Sequence, residues 1–379
     1  MTEIHGYADA RFAALRDEFQ RQLDGDAELG ASLAVTVDGE PVVDLWGGYS
    51  DTARTLEWQE DTITNVWSIT KTVTALAALM LIDRGELDLD RPVADYWPEF
   101  AAAGKGGVLV RHVLSHTSGV SGWGRPVTTE TLYNQDESAS ILAEQSLWWE
   151  PGTASGYHLL NYGHLVGELV KRITGRSLGV FVKDEITGPL GADFHIGLDP
   201  AQFRRVSNVV PPPPTRLDFS KLPPDSPAIK TYSNPPLNAE ATWTDAWRTA
   251  EIGAANGHGN ARSVARVQSI ISNGGEVDGV RLLSARTIER IFEQQSDGTD
   301  LVLLVPIRFG IGFGLPHPVT TPYIPSGEVA FWGGWGGSLI VNDLDRRMTF
   351  AYVMNKMSAG IIGSARSDAY LRAVYESRD

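Results

Sequence analysis

The sequence predicts an α/β (α+β) fold in which a largely helical insertion splits the sheet domain. Three observations lead there. Two β-branched runs flank a turn near the N-terminus, in SLAVTVDGEPVVDLWGG. A second pair lies near the other end, in GSLIVNDLDRRMTFAYVMN. Strong helix formers dominate the stretch between them. Strands at the two ends belong to one sheet, which assigns residues 1–60 plus 255–379 to the α/β domain and 61–254 to a mostly helical one, with the functional cleft between them.

In chain order, Asp9–Leu23 reads as an amphipathic helix with Phe12, Leu15, Phe19 and Leu23 on one face and Asp9 as its N-cap. Asp38-Gly39 is a two-residue hairpin signal between its flanking strands. From Ser68 to Arg84 the residues favour helix, stopped by Gly85. Leu165, Val166, Leu169, Val170 and Ile173 mark another helix, stopped by Gly175. Nine prolines between Pro211 and Pro236 exclude regular helix or central strand, so that segment reads as a surface-wrapping loop. Leu339–Val341 and Met348–Met354 read as strands around a turn at Asp343–Arg346, followed by a helix from about Ala365 to Glu376.

Composition excludes several functions. The 379 residues carry a formal charge of −15 and no Lys/Arg run, which argues against nucleic acids or anionic membranes as partners. There is no cysteine, and with it go disulfides, thiolate metal sites and a thiol nucleophile. The acidic N-terminal segment has no apolar core of a secretory signal, and the most apolar stretch, Ala75–Ile82, is too short to span a membrane. A cytoplasmic protein is the expectation. Eleven tryptophans either fill a core or line a pocket.

Of the seven lysines, only Lys71 has a serine three residues before it. Positions i and i+3 share a helix face, so the Ser68 hydroxyl and the Lys71 amine can touch. Free N–H groups at a helix start suit an oxyanion. The next turns (Val73, Ala75, Leu76, Ala77, Ala78, Leu79, Met80) are apolar all round, so the lysine is desolvated and its pKa depressed. Taken alone, the pair also fits an N-cap serine beside a lysine reaching for solvent.

The surrounding segments narrow this. NVWSITKTVTALAALMLIDRGELDLDRPVADYWPEF, VRHVLSHTSGVSG, EPGTASGYHLLNYGHLVGELVKRITGRSLGVFV and FWGGWGGSLIVND resemble, in this order, the nucleophile, downstream, tyrosine and third-motif segments of the serine β-lactamase and penicillin-binding-protein superfamily. The chain looks most like the family VIII carboxylesterases of the EstB type. That resemblance implies a class C β-lactamase-like fold, an antiparallel sheet flanked by helices. It also implies a serine carboxylesterase acting on small to medium, uncharged esters through an acyl-enzyme. Ser68, Lys71 and Tyr157 would be catalytic, with the backbone N–H groups of Ser68 and Trp335 as oxyanion hole. Tyr133, His158, Trp332, Gly333 and Gly334 would bind substrate. No cofactor or metal is implied, and the partner is a small ester.

Two departures bear on substrate. The tyrosine motif reads Tyr157-His158-Leu159, where class C β-lactamases place an amide-reading asparagine. Trp332 stands where a lysine attracts the β-lactam carboxylate. An aromatic wall suits an uncharged ester. The alternatives are acyl transfer on the same scaffold, or an amide hydrolase of the β-lactamase or 6-aminohexanoate-dimer type. His112 and His116 have i, i+4 spacing but lack the zincin glutamate after His112. Gly310–Gly314 reads as a strand or turn rather than a dinucleotide loop. His158 either contacts substrate or is a satisfied structural histidine.

Overall fold

The computed structural model describes residues 2–214 and 219–377. Its largest feature is an antiparallel sheet of nine strands among the described residues: β1 (Ile4–Ala8), β2 (Gly30–Val37), β3 (Glu40–Gly48), β4 (Ser296–Thr299), β5 (Pro306–Phe309), β6 (Gly314–Leu315), β7 (Val329–Gly333), β8 (Leu339–Asp343) and β9 (Met348–Met354). Their order is β1-β3-β2-β9-β8-β7-β6-β5-β4. The two ends of the chain meet at β2 and β9, with Met348 opposite Val37 and Met354 opposite Ala31. Both strands are buried along their length, because helices cover the sheet on two sides.

On one face lies α4 (Ala261–Ser272), where Ser272 Oγ meets Thr349 Oγ1 at 2.8 Å. On the other, α5 (Ala365–Glu376) brings Tyr370 against Tyr352, three positions from Thr349 and so on the opposite side of the pleat. Here α1 (Ala13–Asp24) packs against α5, Phe19 meeting Tyr370 edge-on. The buried Glu28 accepts hydrogen bonds from Tyr352 (2.5 Å) and Tyr370 (3.1 Å) and pairs with Arg366.

The Asp38-Gly39 turn has φ of 54° and 84°, the primed geometry that keeps the twist of β2 and β3. Gly85 and Gly175 both take left-handed φ just past their helices, α2 (Thr70–Asp83) and α3 (Asn161–Thr174). α2 is buried all round from Thr70 to Leu81, as its apolar sequence requires, and packs on α3. Gly310–Gly314 is the turn between β5 and β6.

Three expectations are corrected. Phe12, Leu15, Phe19 and Leu23 are buried, but Asp9 caps no N–H; its carboxylate pairs with Arg11 instead, ahead of a short 3₁₀ turn. β1 was not foreseen, because IHGYA is an edge strand without hydrophobic alternation. The proline-rich segment contains a short helix, Pro227–Ser233, which uses Pro227 at its first turn, where no backbone donor is needed. Part of that loop lies outside the described residues. No helix among the described residues is long and apolar enough to cross a membrane.

Candidate active site

A short strand, Ile63–Asn65, delivers the chain to Trp67, whose φ of 52° is left-handed. A bulky residue there stores on the order of 1–3 kcal/mol of strain. The strain is held by the 254–257 segment: Val66 N–H donates to Gly257 O (2.9 Å), and Thr70 Oγ1 accepts from Gly257 N–H (2.8 Å). The kink presents Ser68 one residue before the N-cap of α2, with 6% of its surface exposed.

Lys71, on the first turn of α2, is buried with Nζ 3.2 Å from Ser68 Oγ. The same nitrogen donates to Leu159 O and Ala254 O, both at 2.8 Å. No carboxylate pairs with it among the described residues, and burial pushes its pKa well below the usual lysine value. A neutral amine has two N–H groups and one lone pair. The two carbonyls take the N–H groups, which leaves the lone pair for the Ser68 hydroxyl.

Tyr157 lies under this amine, its ring centroid 4.7 Å from Nζ. It is fully enclosed, and burial raises its phenol above the usual tyrosine value. Its hydroxyl accepts the indole N–H of Trp332 at 3.0 Å, and the neighbouring Ser68 side chain lowers the phenol's pKa against the larger effect of burial. This revises the expectation for Trp332. Only 3% of that residue is exposed, and its ring packs against Tyr157 and Phe309. It offers a hydrogen-bond donor to Tyr157, not an open wall to a substrate.

His158 is also corrected. Its Nδ1 donates to Gly156 O (2.7 Å), so its Nε2 accepts from Ser118 Oγ (2.6 Å). Fully buried and with both nitrogens used, it is a structural histidine, because the side chain after Tyr157 turns inward. Burial lowers its pKa to about 3. His112 Nδ1 accepts from Leu109 within a local turn, whereas His116 Nδ1 accepts the His158 backbone N–H and ties its segment to the tyrosine loop.

Neither the Ser68 nor the Trp335 backbone N–H is given to an acceptor among the described residues. Gly334 explains how the second strand comes so close. A Cβ there would sit 2.5 Å from Val66 O and 3.4 Å from Trp67 Cβ, against the backbone that precedes Ser68. At Gly333 a Cβ would lie 2.9 Å from Gly363 N. At both glycines close backbone approach leaves no room for a Cβ. Trp335 is half-buried, with its ring 4.9 Å from that of Trp67, which in turn meets Trp247 at 5.7 Å.

Tyr133 is partly buried against the core. Its phenol pairs with the Thr244 side chain, and it makes no hydrogen bond or ring contact with Ser68, Lys71 or Tyr157 among the described residues. The phenol that acts electrostatically on Tyr157 is that of Tyr232, on the helix of the proline-rich segment. Trp149 packs behind the tyrosine loop, its N–H on Ala154 O at 3.0 Å, and Trp148 stacks under Lys230. Sequence reasoning missed the carbonyls of Leu159 and Ala254, because every residue has a carbonyl and none announces its direction.

The Beta-lactamase family model matches residues 15–374. The chain is 33% identical to the esterase/beta-lactamase LipL of Mycobacterium tuberculosis, over 95% of this chain and 84% of that protein. Its structure resembles the crystal structure of a family VIII carboxylesterase, with a TM-score of 0.93 and 37% identity over 99% of this chain and all of the other. It resembles a penicillin-binding protein homologue from Caulobacter crescentus nearly as well, with a TM-score of 0.91 and 36% identity over 99% of this chain and all of that one.

Proposed function

The chain belongs to the Beta-lactamase family, and from that premise we propose that it is a serine carboxylesterase that hydrolyses small to medium, uncharged esters through an acyl-enzyme. One observation carries the reading. A serine hydroxyl lies 3.2 Å from a lysine amine without a carboxylate partner, and a buried tyrosine ring lies 4.7 Å from the same amine.

The roles follow from the protons. Lys71 is neutral and points its lone pair at Ser68, so it takes the hydroxyl proton as Oγ attacks the ester carbonyl. The negative oxygen that develops collects the free N–H groups of Ser68 and Trp335. Tyr157 holds its proton more tightly than an ordinary tyrosine, so it is the donor rather than the base. It protonates the departing alkoxide and is reprotonated from Lys71. Water then enters where the alcohol left, and the same transfers run in reverse to free the acid and restore Ser68.

Trp332 supports an ester over a β-lactam, because an indole N–H carries no charge to hold a substrate carboxylate. The test is p-nitrophenyl butyrate beside nitrocefin. Ser68→Ala should abolish ester hydrolysis while the circular dichroism spectrum is kept, and nitrocefin should turn over poorly in the wild type. Ester hydrolysis that survives Ser68→Ala overturns the assignment; efficient nitrocefin turnover moves the substrate class to amides.

A further inference from the structure

Asp300 is a fully buried carboxylate that the mechanism above leaves unused. It sits at the tip of the β4–β5 hairpin, and no cation pairs with it among the described residues. Its Oδ1 accepts the N–H groups of Val302 and Leu303, each at 2.8 Å, which shapes the tip. The third donor comes from far away in sequence: the backbone N–H of Tyr157, at 3.0 Å. One residue further, Leu301 N–H donates to Ser155 O at 2.8 Å, so the hairpin grips the tyrosine segment at two points.

We propose that Asp300 is a positioning residue for the reaction, its carboxylate holding the Tyr157 backbone so that the phenol stays between Ser68 and the leaving group. The segment 154–157 is a loop with no helix or strand of its own to fix it. The Tyr157 hydroxyl is fixed by Trp332, and its backbone by Asp300. A phenol pinned at both ends cannot swing from the line of proton transfer, and a misplacement of about 1 Å costs on the order of a hundredfold in rate. The burial of an unpaired carboxylate is unfavourable and raises its pKa; the three N–H donors on Oδ1 offset only part of this, and Oδ2 has no hydrogen-bond partner among the described residues.

This inference rests on the esterase reading, and leaving groups separate the two. Ethyl butyrate releases an alkoxide that needs the Tyr157 proton, whereas p-nitrophenolate departs without one. Asp300→Ala should lower kcat/KM, which reports acylation and not the deacylation that both butyrates share, about tenfold more on ethyl butyrate than on p-nitrophenyl butyrate. Asp300→Asn keeps a side-chain oxygen for the Tyr157 N–H and should restore most of the loss. Equal losses of kcat/KM on both esters, or a kcat/KM on ethyl butyrate unchanged in Asp300→Ala, would overturn the positioning role while leaving the esterase standing. If Asp300→Ala does not fold, Asp300→Asn decides alone by the same ratio: near wild type supports the role, and an equal loss on both esters sinks it. A wild-type protein inert toward both esters would sink the esterase reading and this inference together.

Discussion

At Lys71 the proton decides the chemistry. Its pKa is lowered by burial alone, and no charge is present to restore it. Activity should therefore rise with pH as the amine loses its proton, and the midpoint of that rise should lie well below the ordinary lysine range. Lys71→Arg tests the point, because a guanidinium keeps its proton at every accessible pH. We expect kcat to fall on the order of a hundredfold or more across the whole pH profile. An arginine variant that keeps a rising limb at the wild-type midpoint would assign the base elsewhere. The same scale separates His158 from its neighbour Tyr157. Adjacent in sequence, one side chain points at the nucleophile and the other is used up by Ser118 and Gly156.

Elements place these side chains by approaching one another closely. β7 ends at Gly333, and the chain then runs against the backbone of Val66 and Trp67 with no room for a side chain at Gly334. Ser338 Oγ, 2.2 Å from a Cβ at that position, could rotate away; the Val66 carbonyl, at 2.5 Å, cannot without moving the nucleophile. Gly334→Ala should therefore lower kcat by at least about tenfold and reduce the melting temperature, since overpacking typically costs about 1–3 kcal/mol. Unchanged kcat in a folded Gly334→Ala protein would show that the third-motif strand does not set the Ser68 geometry. The hairpin β4–β5 works by the same logic at longer range, carrying Asp300 from the sheet edge to Tyr157.

Over the whole molecule, burial sets how stability responds to acid. His258 is fully enclosed, neither ring nitrogen makes a hydrogen bond of good geometry among the described residues, and burial lowers its pKa to about 3. The unfolded chain binds a proton near pH 6.5 and the folded chain does not, so this group's contribution is intact above pH 6.5 and is lost as pH falls from there toward 3. For His258→Leu the loss disappears. Relative to wild type, the variant should gain about 2 kcal/mol between pH 8 and pH 5, whatever the packing change adds at both. Urea unfolding at the two pH values measures it, and a pH-independent difference would mean that His258 titrates normally. Comparing the variant with its parent cancels the opposing contribution of buried acids such as Glu28, whose carboxyl burial raises.

The sequence by itself determined the elements that local chemistry dictates: the Asp38-Gly39 hairpin, the glycine stops at Gly85 and Gly175, the buried α2 and the final helix. It also singled out Ser68 and Lys71 as its one Ser-x-x-Lys pair, whereas Tyr157 stood out only through the resemblance of the segment around it. Only the tertiary structure decided what each side chain faces. Trp332 turns its N–H to Tyr157, His158 turns inward, and Tyr232, Asp300 and two backbone carbonyls arrive from distant segments. The reason is physical. Periodicity and propensity are properties of neighbours along the chain, whereas burial and hydrogen-bond direction are properties of neighbours in space.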